Sequence, residues 1–99
     1  MINLDRIVGF GWDEGNAWKN EKHGVSQSDA EQAFFDAKLL IVPDAGHSAT
    51  EPRFHALGAT VDGRRLHITF TLRDNGMRIR VISARDMHRR ERQYYESEK

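Results

Sequence analysis

The sequence of 99 residues contains no cysteine and only two prolines. Without cysteine, disulfide bonds and thiolate chemistry are excluded, which fits a reducing compartment. No hydrophobic run approaches the ~20 apolar residues of a membrane-spanning helix. The N-terminus also lacks the basic segment and following apolar run of a secretory signal. We therefore predict a cytoplasmic protein with no membrane partner.

Sequence signatures of metal and nucleotide binding are absent as well. The five histidines form no HxxxH, HxH or HExxH pair, and no closely spaced carboxylates suggest a two-metal nuclease. The glycines form neither GxxxxGK[ST] nor GxGxxG, the two phosphate-binding loop patterns. We expect no metal and no cofactor, unless the fold itself brings distant ligands together.

Charge is balanced overall but divided unevenly along the chain. Residues 1–52 carry four Lys or Arg and nine Asp or Glu, whereas residues 53–99 carry eleven and six. Ten of those eleven are arginine, whose planar guanidinium donates paired hydrogen bonds to phosphate or carboxylate. The second half could therefore contact a nucleic acid, or present only a solvated arginine-rich face.

The first half predicts two helices. Asp13 is placed to cap the first, which ends near Gly24 with glycine in the left-handed position just beyond it. Ser26 is placed to cap the second, with Asp29 at the capping-box position. A stripe of small and aromatic residues indicates that the second helix approaches another element closely. The stripe consists of Ala30, Ala33, Phe34 and Ala37.

The second half predicts strands joined by tight turns. Asp62-Gly63 and Asp74-Asn75-Gly76 are strong hairpin signals. In the middle strand Leu66, Ile68, Phe70 and Leu72 alternate with polar residues, so one face should pack on helices and the other face water. The predicted strands are Arg53–Val61, Arg64–Arg73 and Met77–Ala84, with a short apolar strand at Leu39–Val42. Phe10–Trp12 is either a short strand or an extended entry to the first helix.

A last helix is predicted from about Asp86 to Glu96, with Met87, Tyr94 and Tyr95 on its buried side. Together these elements predict one α+β domain over residues 1–99. It has two N-terminal helices, an antiparallel sheet of three to four strands and a C-terminal helix, with the helices gathered on one side of the sheet.

The residue types present suit RNA cleavage without metal. The RNA 2′-hydroxyl is an internal nucleophile, so an enzyme needs a base, an acid and a cation near the phosphate. His or Glu can be the base, His or Lys the acid, and Arg the cation. Most proteins contain these residue types, so the composition alone does not distinguish a nuclease from a binding module.

Three segments together resemble the BrnT family of toxins. The first begins at Phe10 and reads FGWDEGNAWKNEKHGVS. The second is EPRFHALG, residues 51–58, and the third is RIRVISARDMHRRERQYYE, residues 78–96. Their order and spacing match the family over about residues 10–96. The chain departs from the family pattern at Gly15 or Asn16, where Lys is frequent, and at Met87, where Ala is usual.

The resemblance implies a RelE-like ribonuclease fold and the toxin of a type II toxin–antitoxin pair. It implies metal-independent RNA cleavage that inhibits translation and growth. The implied partners are RNA and a BrnA-like antitoxin with a ribbon-helix-helix segment, through which alone operator DNA would be contacted. The alternative is a non-catalytic module that binds protein or nucleic acid through the arginine-rich face.

Candidate site residues follow from the motifs and from residue chemistry. His23 is the first choice for proton transfer, although it could instead serve only as a helix-end residue. Glu51 could be a base, hold an arginine in place, or be solvated. Lys22 could contact phosphate or have the same helix-end role, and the strand arginines could serve only to protect a sheet edge. The proposed catalytic set also includes Lys22, Arg53, Arg80 and Arg85, and the RNA-binding set is Arg65, His67 and Arg89.

Overall fold

The computed structural model describes residues 4–12, 24–44 and 52–97. A short 3-10 helix, Leu4–Arg6, precedes two α-helices, α1 (Gln27–Ala33) and α2 (Arg89–Ser97). The predicted first helix lies outside the described residues, but Gly24 has the expected left-handed conformation, with φ of +70°. The strands are β1 (Gly9–Gly11), β2 (Leu40–Pro43), β3 (Phe54–Ala59), β4 (Arg65–Arg73) and β5 (Arg78–Asp86).

The strands form one five-stranded sheet in the order β1-β5-β4-β3-β2. Strands β2 to β5 pair with one another in antiparallel directions, whereas β1 runs parallel to β5. The α+β class is confirmed. The prediction of an antiparallel sheet of three to four strands is wrong in strand number and in the direction of β1. A strand of three residues is too short to show its partner or its direction by alternation.

Both predicted hairpins form, with strand ends shifted by one or a few residues. Between β3 and β4, Gly63 has φ of +86°. Between β4 and β5, Asp74, Asn75 and Gly76 have φ of 55°, 58° and 85°. Three consecutive left-handed residues favour Asp, Asn and Gly, which explains the composition of this turn.

Helix α1 packs on one face of the sheet, called here the core face. The Ser26 hydroxyl accepts a hydrogen bond from the Asp29 amide at 3.0 Å, as the capping pattern predicts. Ala30 and Ala33 are fully buried. A Cβ at Gly58 would lie 2.4 Å from the Ala33 carbonyl oxygen. The predicted close approach of the small residues is thus confirmed, and its partner is the glycine of β3.

Helix α1 ends at Ala33, before the last residue of the predicted stripe, Ala37, which is exposed. The side chain of Asp36 explains the end, because its carboxylate accepts hydrogen bonds from the Lys38 amide at 3.0 Å and the Ala59 amide at 2.8 Å. An Asp that binds nearby backbone amides favours a turn over a continued helix.

A β-bulge in β5 keeps apolar residues on the core face. Thr69 lies opposite Ser83 and Phe70 opposite Val81, which leaves Ile82 as an extra residue. Val81 and Ala84 are therefore both buried although they are three positions apart.

Helix α2 covers part of the opposite face, called here the second face, so the prediction that all helices lie on one side is wrong. Leu57 points away from its core-face neighbour Ala56 and packs with Met87 and Tyr95. The Tyr95 hydroxyl donates a hydrogen bond to Asp36. Tyr94, also predicted to be buried, is 48% exposed. Adjacent helix positions lie about 100° apart, so only one of the two tyrosines faces the sheet.

Candidate active site

The second face carries mostly polar side chains on the three inner strands of the sheet. Alternation along β3, β4 and β5 directs them to the face opposite α1. They fall into three rows of directly opposed positions across the sheet. The rows are Arg80 with Thr71, then Ser83 with Thr69 and His55, then Arg85 with His67 and Leu57.

The first row together with Arg53, called here the arginine row, places two predicted phosphate-binding arginines at one end of the second face. Arg80 lies between Gly11 of β1 and Thr71 of β4. The Thr71 hydroxyl donates a hydrogen bond of 2.6 Å to the Pro52 carbonyl oxygen, which holds the start of β3 beside this row. Arg53 follows Pro52 and has the same alternation as His55. Both arginines are partly buried.

The second row contains a histidine with a partner at each ring nitrogen. His55 Nε2 lies 3.0 Å from Asp44 Oδ2, and His55 Nδ1 lies 3.0 Å from Thr69 Oγ1. The side chains of His55 and Asp44 are 30% and 15% exposed. The His55 ring also packs against that of His67, with centroids 4.8 Å apart. These contacts hold the His55 ring in one orientation.

The third row is tied to helix α2 through Glu91. Arg85 donates two hydrogen bonds to the Glu91 carboxylate, of 2.8 and 2.9 Å. The same carboxylate accepts the His88 amide at 2.8 Å and lies 3.6 Å from His67 Nε2. A guanidinium that forks onto a carboxylate is a geometrically specific contact, so the start of α2 is fixed against β5.

These contacts set the charges of the third row. Burial and the neighbouring Arg85 lower the pKa of His67 from 6.5 to about 4. Burial alone would raise the pKa of Glu91, but the hydrogen bonds from Arg85 and the His88 amide lower this pKa from 4.5 to about 2. At neutral pH the His67 ring is therefore uncharged and Glu91 is ionised.

The second face thus combines cations that can contact phosphate with histidines that can transfer protons. Over residues 4–12, 24–44 and 52–97, no group of three or more His, Cys, Asp or Glu side chains is arranged to hold a metal ion. Among the helices in these ranges, none is long and apolar enough to cross a membrane.

The family model of the BrnT ribonuclease toxins of type II toxin–antitoxin systems matches residues 12–91. The match covers most of the chain, from the end of β1 to the Glu91 carboxylate that anchors α2. The chain belongs to the BrnT family. None of the curated proteins matches it in sequence. Membership identifies a ribonuclease toxin, with RNA as substrate and a protein antitoxin as partner.

The structure brings together part of the set of site residues predicted for this BrnT chain. Arg53, Arg80, Arg85 and His67 share the second face. Lys22, His23 and Glu51 lie outside the described residues.

The other two predicted RNA-binding residues lie away from the arginine row. Arg65 contacts Glu96 of α2 at 2.7 Å, near the covered end of the second face. Arg89 is the exposed first residue of α2.

Four residues of this constellation were not predicted: His55, Asp44, Thr69 and Glu91. The hairpin signal at Asp62-Gly63 could have indicated His55. The register of this hairpin brings His55 and His67 to one face on neighbouring strands. Asp44 carries no such signal. Glu91 lies among arginines in the helix sequence, and no local pattern shows that it turns back to the sheet and binds Arg85.

Proposed function

We propose that this toxin cleaves RNA without a metal ion and that the RNA lies on the second face of the sheet. The observation that carries the proposal is the row arrangement, in which Arg80 and Arg53 border the row that contains His55. Positions two residues apart on a strand are about 7 Å apart, a distance that an arginine side chain can span. One phosphate and its ribose could therefore contact both rows.

The chemistry follows from the RNA itself. The 2′-hydroxyl loses its proton and its oxygen attacks the adjacent phosphorus, while the bond from phosphorus to the 5′-oxygen breaks. The leaving oxygen takes up a proton, and the products are a 2′,3′-cyclic phosphate and a 5′-hydroxyl. Arg53 and Arg80 stabilise the charge that builds on the phosphate oxygens.

The proposal also includes Glu51, Lys22 and His23, which lie outside the described residues but within the family motifs. Glu51 directly precedes Pro52, whose carbonyl oxygen binds Thr71 in the arginine row. That neighbour supports a place for Glu51 near the phosphate. Lys22 and His23 are proposed as sources of the proton for the leaving oxygen, since both residue types can act as acids.

The biological part of the proposal follows from family membership. The toxin would inhibit translation and growth, and a BrnA-like antitoxin with a ribbon-helix-helix segment would neutralise it. Operator DNA would be bound by that antitoxin and not by the toxin.

The site can be tested by replacing one arginine at a time. We expect Arg80→Gln to reduce RNA cleavage by about 100-fold, the usual cost of losing one group that stabilises developing charge. Arg92→Gln is the matched control, because Arg92 is exposed on α2 and its loss removes the same charge. Growth arrest in cells should fall with cleavage for Arg80→Gln alone.

Two results would contradict the proposal. Equal activity of Arg80→Gln and Arg92→Gln would show that RNA is not cleaved on the second face. RNA that binds the purified toxin but stays intact would favour the alternative, a non-catalytic binding module. Binding through phosphates alone would also weaken steeply with salt.

A further inference from the structure

A line of three side chains crosses the second row of the second face, from Asp44 through His55 to Thr69. The distances are 3.0 Å from Asp44 Oδ2 to His55 Nε2 and 3.0 Å from His55 Nδ1 to Thr69 Oγ1. Asp44 is the less exposed member of the acid–histidine pair, at 15%, and follows the edge strand β2. Thr69 is partly buried on the central strand β4 and forms the other end of the line.

We propose that Asp44, His55 and Thr69 form a proton relay that removes the proton from the RNA 2′-hydroxyl, an inference that rests on the proposed RNA cleavage. An ionised carboxylate only accepts hydrogen bonds, so Asp44 keeps the ring proton of neutral His55 on Nε2. The lone pair on Nδ1 then accepts the hydrogen of the Thr69 hydroxyl. This leaves the lone pairs of Thr69 Oγ1 to accept a hydrogen bond from the substrate.

Both ring nitrogens of His55 already have partners, which decides the route of the proton. The 2′-hydroxyl gives its proton to Thr69 Oγ1, while Thr69 gives its own proton to His55 Nδ1. The 2′-oxygen attacks phosphorus, and the 5′-oxygen leaves with a proton from a separate acid. His55 is then positively charged beside the Asp44 carboxylate, which stabilises that charge.

His67 has a different part in the same cluster. Its ring packs on that of His55 with centroids 4.8 Å apart, and its Nε2 lies 3.6 Å from Glu91. A separation of 3.6 Å is too long for a hydrogen bond. His67 thus supports the ring of His55 from the side that faces α2, and it is a positioning residue.

The first test uses the unaltered toxin and does not depend on activity. NMR of 15N-labelled histidine side chains reports which nitrogen carries the proton in a neutral ring. We expect the proton of neutral His55 on Nε2. A proton on Nδ1 would contradict the relay, because Nδ1 could not then accept from Thr69.

The second test separates the hydroxyl of Thr69 from its size. We expect Thr69→Ser to keep kcat within about 5-fold of the parent, and the nearly isosteric Thr69→Val to lose about 100-fold or more in kcat with little change in KM. We expect His55→Ala, which removes the base, to lose as much in kcat as Thr69→Val. Added imidazole should restore part of this activity. His88→Ala, which removes an exposed histidine, is the control.

The outcomes separate the relay from the proposed function. If Thr69→Val or His55→Ala cleaves RNA as fast as the parent, the relay is wrong. The proposal that RNA is cleaved on the second face is not contradicted by that result. If the unaltered, folded toxin does not cleave RNA, the proposed function and the relay are both wrong. Thermal unfolding of each variant shows whether a loss of activity reflects a loss of fold.

Discussion

Gly58 sets how closely α1 can approach the sheet. A Cβ at this position would meet the Ala33 carbonyl oxygen at 2.4 Å and the Ala33 carbonyl carbon at 3.1 Å. Both are backbone atoms inside the core, and they can move only if α1 moves. A larger residue here therefore changes the spacing between two elements and not only a local rotamer.

We predict that Gly58→Ala lowers the free energy of unfolding by about 1–3 kcal/mol, the usual cost of overpacking a core. Gly9→Ala is the control, because a Cβ at Gly9 meets no atom within 4 Å. Denaturant unfolding of the two variants measures the difference. Equal stability of both would show that the contact between α1 and β3 is looser than the structure indicates.

His67 gives the protein a specific sensitivity to acid. In the unfolded chain its ring takes up a proton near pH 6.5, whereas in the folded protein its pKa is lowered to about 4. As the pH falls between these values, protons bind preferentially to the unfolded chain. Acidification through this window therefore destabilises the fold, and the effect is complete below about pH 4.

We predict that the parent loses roughly 2–3 kcal/mol more stability than His67→Gln between pH 6.5 and pH 4. Protonation of Glu91 does not add to this loss of stability over most of the pH range, because the pKa of Glu91 is about 2. His88→Gln, which removes an exposed histidine, is the control. Parallel curves of stability against pH for the parent and His67→Gln would contradict the assignment.

At the scale of elements, α2 is held to the sheet by contacts at both of its ends. Near its start Glu91 binds Arg85, and near its end Tyr95 donates to Asp36. Met87 and Tyr95 cover Leu57 on β3 between these contacts. Because α2 borders the rows of the second face, its attachment determines how much of that face stays open.

We predict that Glu91→Gln speeds hydrogen exchange of the His88 and Arg92 amides, which are hydrogen-bonded at the start of α2, by about 10-fold. A hydrogen bond to a charged group contributes about 1.5–3 kcal/mol, and solvent screening reduces this contribution in the partly exposed pair of Arg85 and Glu91. Arg92→Gln, on the same helix but exposed, should leave exchange unchanged. If both variants exchange at the parent rate, Arg85 does not anchor the helix.

Local patterns predicted the elements better than their arrangement. The cap at Ser26, the two hairpins and the alternation of Leu66, Ile68 and Phe70 depend on neighbouring residues, and all were predicted correctly. The parallel pairing of β1 and the crossing of α2 to the second face depend on contacts between distant segments. No local signal encodes such contacts, because propensity and periodicity act over a few residues.

The candidate site shows the same difference between local motifs and contacts of distant segments. Arg53, Arg80 and Arg85 were predicted because they lie in motifs of the family, and the strands carry them to one face. His55 gained its significance only when the structure placed Asp44 and Thr69 at its two ring nitrogens. Asp44 follows β2 and lies eleven positions before His55, a separation that no sequence pattern singles out.

At the scale of the whole molecule, the two differently charged halves contact each other. Arg64 of the basic half lies 3.7 Å from Asp29 of the acidic half and donates to the Gly24 carbonyl oxygen. His55 likewise binds Asp44. Part of the excess positive charge of residues 53–99 is thus balanced by carboxylates of residues 1–52. The arginine row belongs to the basic half and borders the row that contains His55 on the second face.

The most direct test of metal-independent cleavage on the second face is the chemistry of the RNA ends. The purified toxin, free of antitoxin, is incubated with RNA in EDTA, with and without ribosomes. We predict new 2′,3′-cyclic phosphate and 5′-hydroxyl ends, which are absent for the double variant Arg53→Gln/Arg80→Gln. Cleavage that requires an added divalent metal, or cyclic ends that the double variant still produces, would contradict it.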